Sequence, residues 1–149
     1  PNAPGIYSTG VIAVTGAMIS ASGSEAAVIE GANSIVLNNT SLSSTMENKW
    51  GVMIYQSMSG DAEGATGTFT MTGGVLTYTS TSGPLFYVNN STGIITLNGV
   101  AVTAASGILV DAHAGNWGTN GSNGGSSNSL RMVRACQVIW LQTKSARSP

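Results

Sequence analysis

From residue 67 to residue 106 the chain repeats one hydrophobic phrase. Phe69-Thr70-Met71-Thr72-Gly73-Gly74-Val75-Leu76 is followed by Ile95-Thr96-Leu97-Asn98-Gly99-Val100-Ala101-Val102. Both copies carry apolar side chains at the first, third and eighth places and Gly at the fifth. Alternation of this kind predicts a strand with one buried face. Weaker copies come earlier. Ile12-Ala13-Val14-Thr15-Gly16 leads to Ile19, and Ile35-Val36-Leu37-Asn38-Asn39 leads to Leu42. Gly and Asn share the fifth place because both tolerate a positive φ, so a corner is predicted there.

A second phrase precedes each copy: Gly5-Ile6-Tyr7-Ser8-Thr9, Ala27-Val28-Ile29-Glu30-Gly31, Val52-Met53-Ile54-Tyr55-Gln56 and Leu85-Phe86-Tyr87-Val88-Asn89, with a fifth at Ile108-Leu109-Val110-Asp111-Ala112. Each unit is then a strand, a turn, a strand, a corner and a further short strand. Such a unit cannot bury its apolar side alone, so neighbours must stack and share a core. The expected fold is all-β, a single-stranded parallel β-helix of about five coils. Ile12, Ile35, Phe69 and Ile95 should form one interior column. Ile29, Leu37 and Leu42 should also point inward, Tyr7 and Met18 should fill the core or its edge, and Glu25 and Glu30 should lie outside. The competing architecture is an antiparallel sandwich. Against it, the units resemble one another in order.

Composition agrees with strands. Of 149 residues 20 are Gly and only 7% are charged. Gly and β-branched residues disfavour helices and suit short strands with tight corners. No apolar run is long enough to span a bilayer, so membrane insertion is not expected. The single Cys cannot form an internal disulfide and does not decide the compartment. The chain opens Pro1-Asn2-Ala3-Pro4, without Met or a leader, as expected of a segment from within a longer protein.

Charge is unevenly spread. Residues 1–130 hold all six acids and one base, Lys49, for a net −5, whereas the last nineteen residues carry +4. A body of that sign repels phosphate, so nucleic acid is not an expected partner.

Several residues are candidates for chemistry. Asp61 and Glu63 are hard oxygen ligands that suit Ca²⁺, but two acids make a sparse site and a solvated loop is the expected reading. No cofactor is expected. Asp111 and His113, with a nearby Ser, have the composition of an ester-cleaving triad, in which His takes the proton and Asp orients it. A lone surface His accounts for the same residues. Glu30 and Asp111 end equivalent strands, but three strand spacings of about 4.8 Å separate them by roughly 14 Å, beyond the carboxyl separations glycosidases use. Trp50, Tyr55, Tyr87 and Trp117 are the aromatic residues on which a sugar would stack, with packing as the alternative role for the two Tyr. Thr68, Thr70, Thr72, Thr77, Thr79 and Thr81 alternate as exposed strand residues do.

Several runs are similar to large, secreted, adhesin-like bacterial proteins. They are Ile6-Tyr7-Ser8-Thr9-Gly10, Glu25-Ala26-Ala27-Val28-Ile29-Glu30-Gly31, the segment from Asn48 to Ser57, Gly83-Pro84-Leu85-Phe86-Tyr87-Val88, Ala114-Gly115-Asn116-Trp117-Gly118-Thr119 and Gly121-Ser122-Asn123-Gly124-Gly125. The resemblance implies a right-handed parallel β-helix related in shape to pectate lyases, and an extracellular or cell-surface location. It implies no particular chemistry, since fold alone does not give function. A pectate-lyase mechanism needs a Ca²⁺ cluster and usually an Arg or Lys base, and no Arg precedes Arg131.

The pattern breaks at residue 126. Residues 1–125 read as the β-helix segment, and residues 126–149 as an atypical tail. Read one base back, with suitable third positions, the codons for Cys136 to Pro149 yield a sequence of the repeating type, so out-of-frame translation is expected. Val133, Ile139 and Leu141 would still add a strand or short helix capping the open end, which otherwise presents unpaired edges. Such edges also make a homo-oligomer through the ends an expected assembly. The leading expectation is a structural or binding segment of a surface protein, with a polysaccharide or cell-surface glycan as partner. A glycoside or ester hydrolase and a carbohydrate-binding module are the alternatives.

Overall fold

The computed structural model describes residues 2–56, 65–89, 92–113 and 136–141. Among them are twelve strands and no helix. One sheet contains β1 (Ile6–Ser8), β4 (Ala27–Glu30), β6 (Val52–Tyr55), β8 (Phe86–Asn89) and β11 (Val110–His113), side by side in chain order. The other runs β2 (Val11–Thr15), β5 (Ser34–Ser44), β7 (Thr66–Tyr78), β9 (Thr92–Asn98) and β12 (Cys136–Leu141). Beside it, β3 (Met18–Ala21) pairs with β5 and β10 (Ala101–Ala104) with β7. All pairings among these strands are parallel. The chain visits the two sheets alternately, so each visit lays a strand beside that of the previous one.

Register follows the repeat. Ile12 pairs with Ile35, Ile35 with Phe69, and Phe69 with Ile95. Ile35, Phe69 and Ile95 are fully buried, while Ile12, on the edge strand, is half-buried. The predicted column therefore exists. The tail adds the next backbone position, because Val138 pairs with Ile95 in a strand that runs from Cys136 to Leu141. Of the expected strand or short helix over the open end, a strand is present that contains Ile139 and Leu141, in register with the repeat, while Val133 lies outside the described residues.

The phrase also explains its own corner. From its third to its eighth place is an odd number of residues, so strict alternation would turn the second apolar group outward. A left-handed residue absorbs the extra position. Gly16, Asn39, Gly73 and Gly99 have φ of 67°, 45°, 63° and 62°. In β5 the buried set accordingly runs Ile35, Leu37 and then Thr40, Leu42, Ser44. The strand continues through the bend instead of ending there.

The two sheets share one core. Ala27, Ile29, Ile54, Phe86 and Val88 meet Ile35, Leu37, Phe69, Met71, Leu76 and Tyr78. Phe69 and Phe86 pack edge to face across it, with ring centroids 5.3 Å apart. The abundant Ser has a structural use at the corners. Ser8, Ser44, Ser80 and Ser106 each accept, at Oγ, the backbone N–H two residues on. These local bonds satisfy donors that leave the ladders.

Two expectations are corrected. Tyr7 and Met18 do not fill the core: they are 44% and 86% exposed, because alternation in β1 and β3 gives the inward places to Ile6 and Ile19. The second phrase is also out of step with the ladder. Its true row is Ile6, Ala27, Val52, Phe86 and Val110, so Gly5, Leu85 and Ile108 precede the row they were aligned to. Turn length sets that slip, and phrase matching does not report it.

Candidate functional site

The outward side of the five-stranded sheet collects most of the candidate residues. One row runs Tyr7, Val28, Met53, Tyr87, Asp111. The row two places on runs Glu30, Tyr55, Asn89, His113. Residues two apart on a strand share a face. A second apolar cluster forms there, of Val28, Met53, Tyr55 and Tyr87 with Trp50 against it.

Trp50 and Tyr87 stack on each other, their centroids 4.1 Å apart and their planes within 9°. The Lys49 ammonium lies 5.3 Å from the indole centroid. Tyr87 thereby closes one face of Trp50 and is itself 5% exposed. Trp50, half-buried, thus meets Tyr87 with one face of its indole.

Tyr55 takes part in a different arrangement. The Tyr7 hydroxyl donates to Glu30 Oε2 and is hydrogen-bonded to the Tyr55 hydroxyl. Because the one Tyr7 proton goes to Glu30, Tyr55 is the donor to the Tyr7 oxygen. The result is a chain from Tyr55 through Tyr7 to the carboxylate. Burial is the largest influence on both phenols, and it pushes their pKa up; for Tyr7 the bond to Glu30 adds to the rise. Both rings therefore stay protonated at neutral pH and act as donors. Neither is poised as a tyrosinate nucleophile.

Beside this chain is a hollow of about 250 Å³, lined by Asn2, Pro4, Tyr7, Ser24, Glu25, Val28, Met53 and Tyr55. Ser24 donates to Glu25 Oε2 at 2.6 Å. Tyr7 and Glu25 were not candidates on sequence. Period-two alternation in β1 does give Tyr7 an outward place, and this was the available signal.

Glu30 and Asp111 do not converge. Glu30 in β4 and Asp111 in β11 are separated by β6 and β8, so three spacings of about 4.8 Å keep the carboxyl groups apart. Asp111 stands beside Tyr87 in the ladder, and the backbone of His113 beside that of Asn89. Asp61, Glu63 and Trp117 lie outside the described residues. Among the described residues no three His, Cys, Asp or Glu side chains gather as metal ligands. No helix there is long and apolar enough to cross a membrane.

Two side chains hold buried polar atoms without a partner among the described residues, one of them Trp50 at its indole Nε1. Gln56, just after β6, is fully buried, and among the described residues neither its amide nitrogen nor its amide oxygen has a hydrogen-bond partner. Comparison with known proteins finds no matching family model, no matching curated protein and no matching solved structure, so the geometry above is the basis for any functional reading.

Proposed function

We propose that the chain is a segment of a secreted or cell-surface adhesin-like protein, built as a right-handed parallel β-helix, with a structural and binding role. The observation that carries this reading is the alternation between two parallel sheets with like residues in register, such as Ile12–Ile35–Phe69–Ile95. Successive parallel strands of one sheet, joined by a crossover, are right-handed in about 98% of cases, which supports the handedness. A body poor in charge, rich in Ser, Thr and Asn and net negative suits an extracellular scaffold whose partners are glycans or other surface molecules.

Two measurements test the reading. Tracing the connections between sheets in a crystal structure should give right-handed turns; a left-handed path would remove the architecture. Purified chain should bind surface polysaccharide without turning over glycosides or esters. Turnover that disappears in Asp111→Ala or His113→Ala would replace the binding role with a hydrolase.

A further inference from the structure

The hollow beside Tyr7 has a lining whose chemistry selects among ligands. Its walls are two phenol rings, the side chains of Val28 and Met53, and Pro4 at the rim, with the Glu25 carboxylate as the charged group. None of the described lining residues is basic. Three hydroxyl hydrogens are already committed, Tyr55 to Tyr7, Tyr7 to Glu30 and Ser24 to Glu25, which leaves the carboxamide of the exposed Asn2 as the donor group of the described lining. Glu30 stands behind the phenols as a second negative group.

A neutral sugar needs several hydrogen-bond partners at once, and a site that leaves its hydroxyls unpaired rejects it. An anion meets carboxylates and no cation. A cation sheathed in methyl groups meets what is present: aromatic rings, aliphatic and thioether surface, and negative charge. Rings and carboxylates attract such a head group, and the methyl groups ask for no hydrogen bonds.

We propose that this hollow binds a small organic cation, a quaternary ammonium head group, between Tyr7, Tyr55, Val28 and Met53 with Glu25 supplying the counter-charge. Its chemistry is independent of whether the chain belongs to an adhesin, so either reading can fail alone. Glu25 is the specificity-determining residue, held by Ser24, and the Tyr55–Tyr7–Glu30 chain positions the rings.

The test uses the chain as it stands and two probes, choline and dimethylbutanol, its uncharged carbon isostere, titrated by calorimetry and by methyl resonances of Val28 and Met53. Choline should bind at least about tenfold more tightly than the isostere, the ratio that cation attraction of this strength supplies, and should shift both residues. Glu25→Gln should remove most of that preference. Equal affinity for both probes, shifts confined to other residues, or displacement of choline by glucose would each overturn the proposal. A full preference remaining in Glu25→Gln would overturn the role of Glu25. The comparison of isosteres needs no variant, so it decides the matter even if Glu25→Gln does not fold.

Discussion

Replacing Gly74 by Ala tests the corner geometry more sharply than any core truncation. Gly74 has φ +81°, and a Cβ placed there would sit 2.1 Å from the carbonyl oxygen and 2.7 Å from the nitrogen of Thr40. Thr40 belongs to the neighbouring strand and pairs with Gly74 in register. The obstacle is backbone in the middle of a ladder, and it yields only if β5 and β7 move apart. Gly99 is the control. Its φ is +62°, yet among the described residues nothing lies within 4 Å of the same added atom. Gly99→Ala therefore bears only the left-handed cost, about 1–2 kcal/mol for a residue with a Cβ. Gly74→Ala bears that plus an overpacking cost of about 1–3 kcal/mol, for a total near 2–5 kcal/mol. A domain with about 5–15 kcal/mol of stability loses a large part of it. Urea unfolding followed by Trp fluorescence reads both variants, as midpoint shifts at unchanged slope. Gly99→Asn should fall closer to wild type, because Asn39 already occupies the equivalent corner at φ 45°. If Gly74→Ala and Gly99→Ala lose the same stability within about 0.5 kcal/mol, an uncertainty typical of such comparisons, the steric reasoning is wrong.

Other substitutions probe other layers. Phe69→Ala should cost about 3–5 kcal/mol in chemical denaturation, and Ile12→Ala distinctly less than the interior members of its column, since Ile12 is only half-buried at the edge; equal losses would mean that β2 is covered in solution. Ser80→Ala removes an acceptor serving the backbone N–H groups of Asn48, Ser82 and Gly83 at 3.4, 3.3 and 3.2 Å. Stranding those donors should cost about 1–3 kcal/mol, and a neutral result would show that water replaces the hydroxyl. Gln56→Met should stabilise the chain in the same assay, because it removes a buried amide with no partner among the described residues while keeping its length; destabilisation would reveal a bond to that amide. Tyr7, Tyr55 and Tyr78 have raised pKa values in the fold, with burial the first cause in each. Their contribution is complete below the unfolded Tyr value of about 10 and is lost as pH rises beyond it, since the unfolded chain then releases protons that the folded chain retains. The denaturation midpoint should fall steeply in that alkaline range, less so in Tyr7→Phe, and a midpoint flat across it would contradict the shifts.

The repeated phrase in residues 67–106 was enough to derive strands, inward side chains and the left-handed corners at Gly16, Asn39, Gly73 and Gly99. These are local properties: alternation follows from the pleat, and a positive φ follows from what a Cβ allows. The column Ile12–Ile35–Phe69–Ile95 was legible for the same reason, because stacked units bury like beneath like. Even the strand in the tail could be anticipated from an open edge. What tertiary structure alone decided was how turn lengths offset the second phrase, which side of the five-stranded sheet gathers Tyr7, Tyr55 and Glu30, and that Trp50 stacks on Tyr87. Those partners lie tens of residues apart in the chain and are joined by the spacing of a ladder. Sequence gives each residue a face of its strand, but only the register between strands gives it neighbours, and the hollow beside Glu25 is made of neighbours.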